Sequence, residues 1–171
     1  MGRRLVPAIG FSLALVLSAP AGWAAPSHMI GQGSIGEGRL GLAKVHYDNA
    51  FGAVAATTPF PGGVTRVAYD SGRLQVFMRR GSGSAILTVS QDFRTTRGVG
   101  PCSPAKALLA AYGKRLVPYR AARGGIVAYR LGHLVFASLG PQVTAVMLST
   151  DVSRDLQLAL TAAPCGGGKE G

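Results

Sequence analysis

Val67-Ala68-Tyr69-Asp70-Ser71-Gly72-Arg73-Leu74 returns sixty residues later as Val127-Ala128-Tyr129-Arg130-Leu131-Gly132-His133-Leu134, with five of the eight positions identical. Each copy is an apolar run, a glycine-bearing turn and a second apolar run, the pattern of a β-hairpin. The correspondence extends outward. Ala85-Ile86-Leu87-Thr88-Val89-Ser90 faces Ala145-Val146-Met147-Leu148-Ser149-Thr150 at the same offset, and Ala50-Phe51-Gly52 faces Ala111-Tyr112-Gly113 at an offset of sixty-one. Repetition on this scale divides the chain into two units, residues 25–98 and 99–165.

Both units read alike. In the second, Ser103 is placed as N-cap and Pro104 as first-turn proline. Ala105, Leu108, Leu109 and Tyr112 then fall at helical spacing, and Gly113 stops the helix. In the first, the helix runs over Leu40–Phe51 and stops at Gly52, with Ala43 where a capping side chain belongs. Three strands follow each helix: Val64–Asp70, Arg73–Arg79 and Ser84–Ser90, then Gly125–Arg130, His133–Ser138 and Gln142–Thr150. Along Arg73–Arg79, Leu74, Val76 and Met78 alternate with Arg73, Gln75, Phe77 and Arg79, so one face belongs to a core. The expected fold is α+β, a tandem repeat of one helix plus a three-stranded antiparallel meander, with helices on one sheet face and solvent on the other. Residues 151–163 fit a strand and a helix equally well, and 166–171 read as a disordered tail.

The run Leu40-Gly41-Leu42-Ala43-Lys44-Val45-His46-Tyr47-Asp48-Asn49-Ala50-Phe51-Gly52 resembles the signature of the β-lactamase-inhibitor-protein and outer-membrane assembly lipoprotein (SmpA/OmlA) superfamily. The tandem form is the nearer analogue. The resemblance implies helical segments packed on a small antiparallel sheet and a non-catalytic, protein-binding habit. Ala43 departs from the usual hydroxyl cap, and no lipobox cysteine is present.

Met1-Gly2-Arg3-Arg4, the uncharged apolar stretch Leu5–Ala19 and the small-x-small triplet Gly22-Trp23-Ala24 make residues 1–24 an expected signal peptide. The apolar stretch is too short to span a bilayer, which needs about 18 or more residues. Export gives the two cysteines, Cys102 and Cys165, a compartment that favours a disulfide. It also bears on the charge. The chain of 171 residues carries 18 Lys and Arg against 7 Asp and Glu, and cleavage removes two of the bases and none of the acids, leaving +9. Outside the cytoplasm that surplus points to a protein or an anionic envelope polymer and away from nucleic acid. With 47% hydrophobic residues the chain is no disordered polyelectrolyte, and its 25 glycines lack the Gly-X-Y period of collagen.

Several motifs fail on context. Gly31-x-Gly33-x-x-Gly36 and Gly36-x-Gly38-x-x-Gly41 match a dinucleotide loop but lack a strand to feed it, and no cofactor is expected. Ser103-x-x-Lys106 matches a serine–lysine dyad without its partner motifs. His28, His46 and His133 lack metal-ligand spacing, so no metal is expected either. The positive signal is Arg66, Arg73, Phe77, Arg79 and Arg80. Arginines around an aromatic ring on an open sheet face bring the area and the forked hydrogen bonding of a binding surface. The expectation is an exported, non-catalytic binding module. The alternatives are a small secreted hydrolase using Ser103 or a histidine, and a structural envelope protein without a ligand.

Overall fold

The computed structural model describes residues 28–120, 125–150 and 165. The expectations for residues 1–24, 151–163 and 166–171 lie outside these residues. Three two-residue strands come first: β1 (Met29–Ile30), β2 (Ser34–Ile35) and β3 (Gly38–Arg39). Helix α1 (Lys44–Phe51) leads into β4 (Val54–Phe60), β5 (Val64–Tyr69), β6 (Leu74–Arg79) and β7 (Ser82–Thr88). After β8 (Arg94–Thr95), helix α2 (Ala105–Tyr112) leads into β9 (Val117–Arg120), β10 (Val127–Leu131), β11 (Leu134–Leu139) and β12 (Gln142–Ser149).

These strands correct the expected fold class. The chain is mostly β and does not form two helix-plus-three-strand units. Its long strands merge into one eight-stranded antiparallel sheet, in the order β4-β5-β6-β7-β12-β11-β10-β9. A second sheet of two-residue strands, β3-β2-β1-β8, includes a parallel β1–β8 pair. The union is made by β7 and β12, which pair from Thr88↔Val146 to Ala85↔Ser149. The sixty-residue repeat in the sequence therefore lands on two hairpins of one sheet, β5–β6 and β10–β11, on either side of that junction. Two edge strands, β4 and β9, had no readable signal. Each carries a proline, Pro59 and Pro118, which cannot donate to a ladder and so suits an edge where further pairing must stop.

The helices end where glycine ends them: Gly52 (φ 83°) and Gly113 (φ 48°) hold the backbone that releases the chain. At the start of α1, Ala43 provides no side-chain cap. The start of α2 needs a correction, because Pro104 is the N-cap residue and Ser103 precedes the helix. The Ser103 hydroxyl instead accepts the Gly100 N–H at 3.0 Å, closing the turn before it.

One face of the large sheet packs Val67, Tyr69, Val76, Ile86, Phe136 and Val146 against Tyr47 of α1, Leu108 of α2 and Ile30 and Ile35 of the small sheet. Each large side chain so buried contributes about 1.5–3 kcal/mol. The opposite face was expected to meet solvent. It is instead a second apolar cluster of Phe77, Ala85, Leu87, Val135, Ala137, Ala145 and Met147, each no more than 1% exposed. The Cys102–Cys165 disulfide joins the chain near the start of β12, where the Cys102 N–H donates to Val143 O. Among the described residues no helix is long and apolar enough to cross a membrane.

Candidate functional site

The structure disperses the five residues expected to form one surface. Arg66 sits in β5 directly opposite Phe77 and donates from Nε to Thr58 Oγ1 at 3.1 Å. Phe77 is wholly buried, edge-on to Phe60 with ring centroids 5.0 Å apart. It is a core residue and no surface anchor, because the face opposite Leu74 and Val76 is itself apolar. Arg73 lies in the β5–β6 turn and is paired with Asp70 at 2.9 Å. Arg79 ends β6 and Arg80 opens the turn to β7, at the other end of a six-residue strand that spans about 20 Å. Both are exposed, and neither forms an ion pair among the described residues.

Antiparallel order decides what joins them. The end of the sheet that holds the β6–β7 turn also holds the β10–β11 turn, since Leu134 pairs with Leu148 and the Ser149 N–H donates to His133 O. It further holds the entry to β9, since Val117 pairs with Arg130. Arg79 and Arg80 thus share one end of the sheet with Arg130, His133 and, from the turn Gly113–Arg115, Lys114 and Arg115, all exposed. Three strand spacings separate the two hairpin turns by about 14 Å across the sheet, and the β6–β7 turn reaches further along it, since Ser149 pairs with Ala85 and β7 begins at Ser82. Arg130 is steadied by its Nε donating to Gly132 O at 2.8 Å.

The described carboxylates lie elsewhere. Asp48 is on α1, where it accepts from Lys44 Nζ and from the Tyr69 hydroxyl, each at 2.8 Å. These bonds, with Lys44 the larger cause, hold its carboxyl below the ordinary range, while burial first and Asp48 second push the Tyr69 hydroxyl up. Asp70 is in the β5–β6 turn, Glu37 between β2 and β3, and Asp92 beyond the end of β7, beside Ser90. The basic end therefore has no described acid to neutralise it. Sequence reading missed Lys114, Arg115 and Arg130 because they come from the second half of the chain and converge on Arg79 only through the β7–β12 pairing.

The residues considered for catalysis do not assemble. Ser103 is 7% exposed with its hydroxyl already engaged, and Lys106 is exposed on the helix. His28 packs edge-on to Phe93, His46 lies on α1 and His133 in the β10–β11 turn. No three His, Cys, Asp or Glu side chains gather into a metal-binding group among the described residues. Of the glycines at 31–41, Gly38 lies in β3 and the others in the turns around the small sheet, and none leads a strand into a helix N-terminus of the dinucleotide kind.

No family model matches the sequence. No curated protein matches it either. The fold is similar to two solved structures. One is a cysteine-rich secretory protein (SAV1118) from Staphylococcus aureus, with TM-score 0.43, 9% identity and coverage of 64% of this chain and 44% of that one. The other is a DUF4309 family protein (YjgB) from Bacillus subtilis, with TM-score 0.43, 14% identity and coverage of 64% of this chain and 78% of that one.

Proposed function

We propose that the protein is an exported, non-catalytic binding module that recognises an anionic envelope component through the basic end of its eight-stranded sheet. The observation that carries this reading is the convergence of Arg79, Arg80, Lys114, Arg115 and Arg130 there without a described carboxylate. Arginine forks suit sulfate, phosphate and carboxylate groups, and charges spaced over more than 14 Å suit a polymer or a surface better than a small anion. The Cys102–Cys165 disulfide supports an oxidising compartment. Of the two partner classes expected from the sequence, protein and anionic polymer, the anionic one is favoured because Phe77, the aromatic residue among the five expected binding residues, is buried.

Retention on an immobilised polyanion, eluted by a salt gradient, tests the proposal. Arg79→Glu combined with Arg80→Glu should elute at markedly lower salt. Arg73→Glu combined with Lys106→Glu changes the net charge equally but at other sites, and should elute close to the parent. Equal shifts in the two variants would reduce the effect to net charge and sink the assignment of the surface.

A further inference from the structure

Away from the basic end, a pocket of about 510 Å³ opens where the last turn of α1, the start of β4, the β5–β6 turn and the small sheet meet. We infer that this pocket binds a small organic cation with an aromatic or aliphatic body, a function separate from that of the basic end.

The walls set the apolar part of the ligand. Phe51, Leu74 and Phe93 form the floor, with Leu74 at 3% and Phe93 at 8% exposure, so a ring or short alkyl chain entering there leaves water on contact. The rim sets the charge. In a chain with more than twice as many bases as acids, Glu37 and Asp70 both line this pocket, no Lys or Arg does, and His28 is the basic side chain that shares the lining. The C-terminal end of α1 adds to the same field. Ala50 and Phe51 belong to its last turn, which has no basic residue, so the partial negative charge of the helix C-terminus lies beside the pocket. A cation above Phe51 or Phe93 also meets the negative face of an aromatic ring. Glu37, the helix C-terminus and the aromatic rings thus bias one apolar cavity toward a cation, with Asp70 joining them when Arg73 swings away.

Asp70 and Ser71 adopt φ of 46° and 52°, the left-handed pair that a tight β-hairpin turn requires, and this turn holds Asp70 at the pocket. Arg73 already pairs with Asp70 at 2.9 Å from an exposed position, so an incoming ammonium group would exchange with a guanidinium that remains free to swing into water.

Isothermal titration of the purified protein with 2-phenylethylamine, benzyltrimethylammonium and 3-phenylpropionate tests this. Both cations should bind saturably, and at least about ten-fold more tightly than the matched carboxylate. Glu37→Gln combined with Asp70→Asn should weaken cation binding about ten-fold while leaving the unfolding midpoint near that of the parent, since both side chains are exposed. Ala55→Trp, at an exposed lining position, should block binding by occlusion and give a second readout independent of charge. Preference for the carboxylate, equal binding of all three probes, or no saturable cation binding up to about 10 mM would overturn the inference. Polyanion retention should not fall in either variant, which separates failure here from failure of the basic-end proposal.

Discussion

Gly83→Ala turns the packing of α1 on the sheet into a measurable coupling. Gly83 lies in β7 beneath the wholly buried ring of Tyr47, and a Cβ added there would fall 2.6 Å from Tyr47 Cζ and 2.8 Å from Cε2. Neither side has room to yield. The Gly83 N–H donates to Leu42 O at 2.9 Å and the Gly41 N–H donates to Gly83 O at 2.8 Å, while the Tyr47 hydroxyl donates to Arg39 O. Moving the ring to ordinary contact distance costs about 1–3 kcal/mol of overpacking, and losing the hydroxyl's bond costs about 1 kcal/mol more. The substitution should therefore destabilise by about 3 kcal/mol. Gly83 is not among the glycines with positive φ, so alanine fits the backbone itself. In a Tyr47→Leu background, where the colliding ring atoms are gone, Gly83→Ala should be neutral or should stabilise by about 0.4–1 kcal/mol through the unfolded chain. Urea unfolding of the four proteins gives the coupling directly, with a midpoint shift of about 1–2 M expected for the single Gly83 variant. A coupling energy below about 0.5 kcal/mol would refute the argument that the ring needs the missing side chain.

Opening the disulfide, by reduction or as Cys102→Ser with Cys165→Ser, releases a loop with a sequence separation of 63. On the chain-entropy model this should cost about 4 kcal/mol, or about 10–15 °C in Tm for a chain of this size. A scanning calorimetry shift below about 2 °C would contradict it. Asp48 sets the acid side of the stability profile. Its carboxyl is held low in the folded state, so its contribution is present above the unfolded value of about 4 and disappears as pH falls through the folded one. Both members of the Lys44–Asp48 pair are partly exposed, at 46% and 36%, so the pair is worth about 0.5 kcal/mol and Asp48→Asn should flatten the acid limb by a similar amount. On the alkaline side, the Tyr69 hydroxyl is pushed up, so its contribution holds below about pH 10 and falls as pH rises further. Urea midpoints measured from pH 2 to 11 test both limbs, and an unchanged acid limb in Asp48→Asn would count against the assignment.

Features whose cause lies within a few residues were legible before any coordinates. The β5–β6 and β10–β11 hairpins, the glycines that end both helices and the uncapped start at Ala43 all follow from local turn chemistry and alternation. Even there the reach is short. Gly81-Ser82-Gly83 reads as a turn, yet only Gly81 turns with φ 81°, and Gly83 is a strand residue lying under an aromatic ring from a distant helix. Likewise Leu109 fits the helical spacing as well as Leu108 does, but it is 45% exposed where Leu108 is fully buried.

By itself, the order of residues determined the six strands β5, β6, β7, β10, β11 and β12, where helices stop, that the two cysteines would meet and that positive charge would dominate. Alternation along a strand also separates its two faces, placing Phe77 opposite Leu74 and Val76. It carries no information about whether the second face is wetted or covered, and tertiary structure buried Phe77. Pairing of β7 with β12 made two runs of strands into one sheet, drew Arg79, Arg80, Lys114, Arg115 and Arg130 to a single end and left the pocket with its carboxylates away from them. Such partners lie scores of residues apart along the chain, and their juxtaposition is chosen by the burial of the whole apolar set, a free energy that no short window contains.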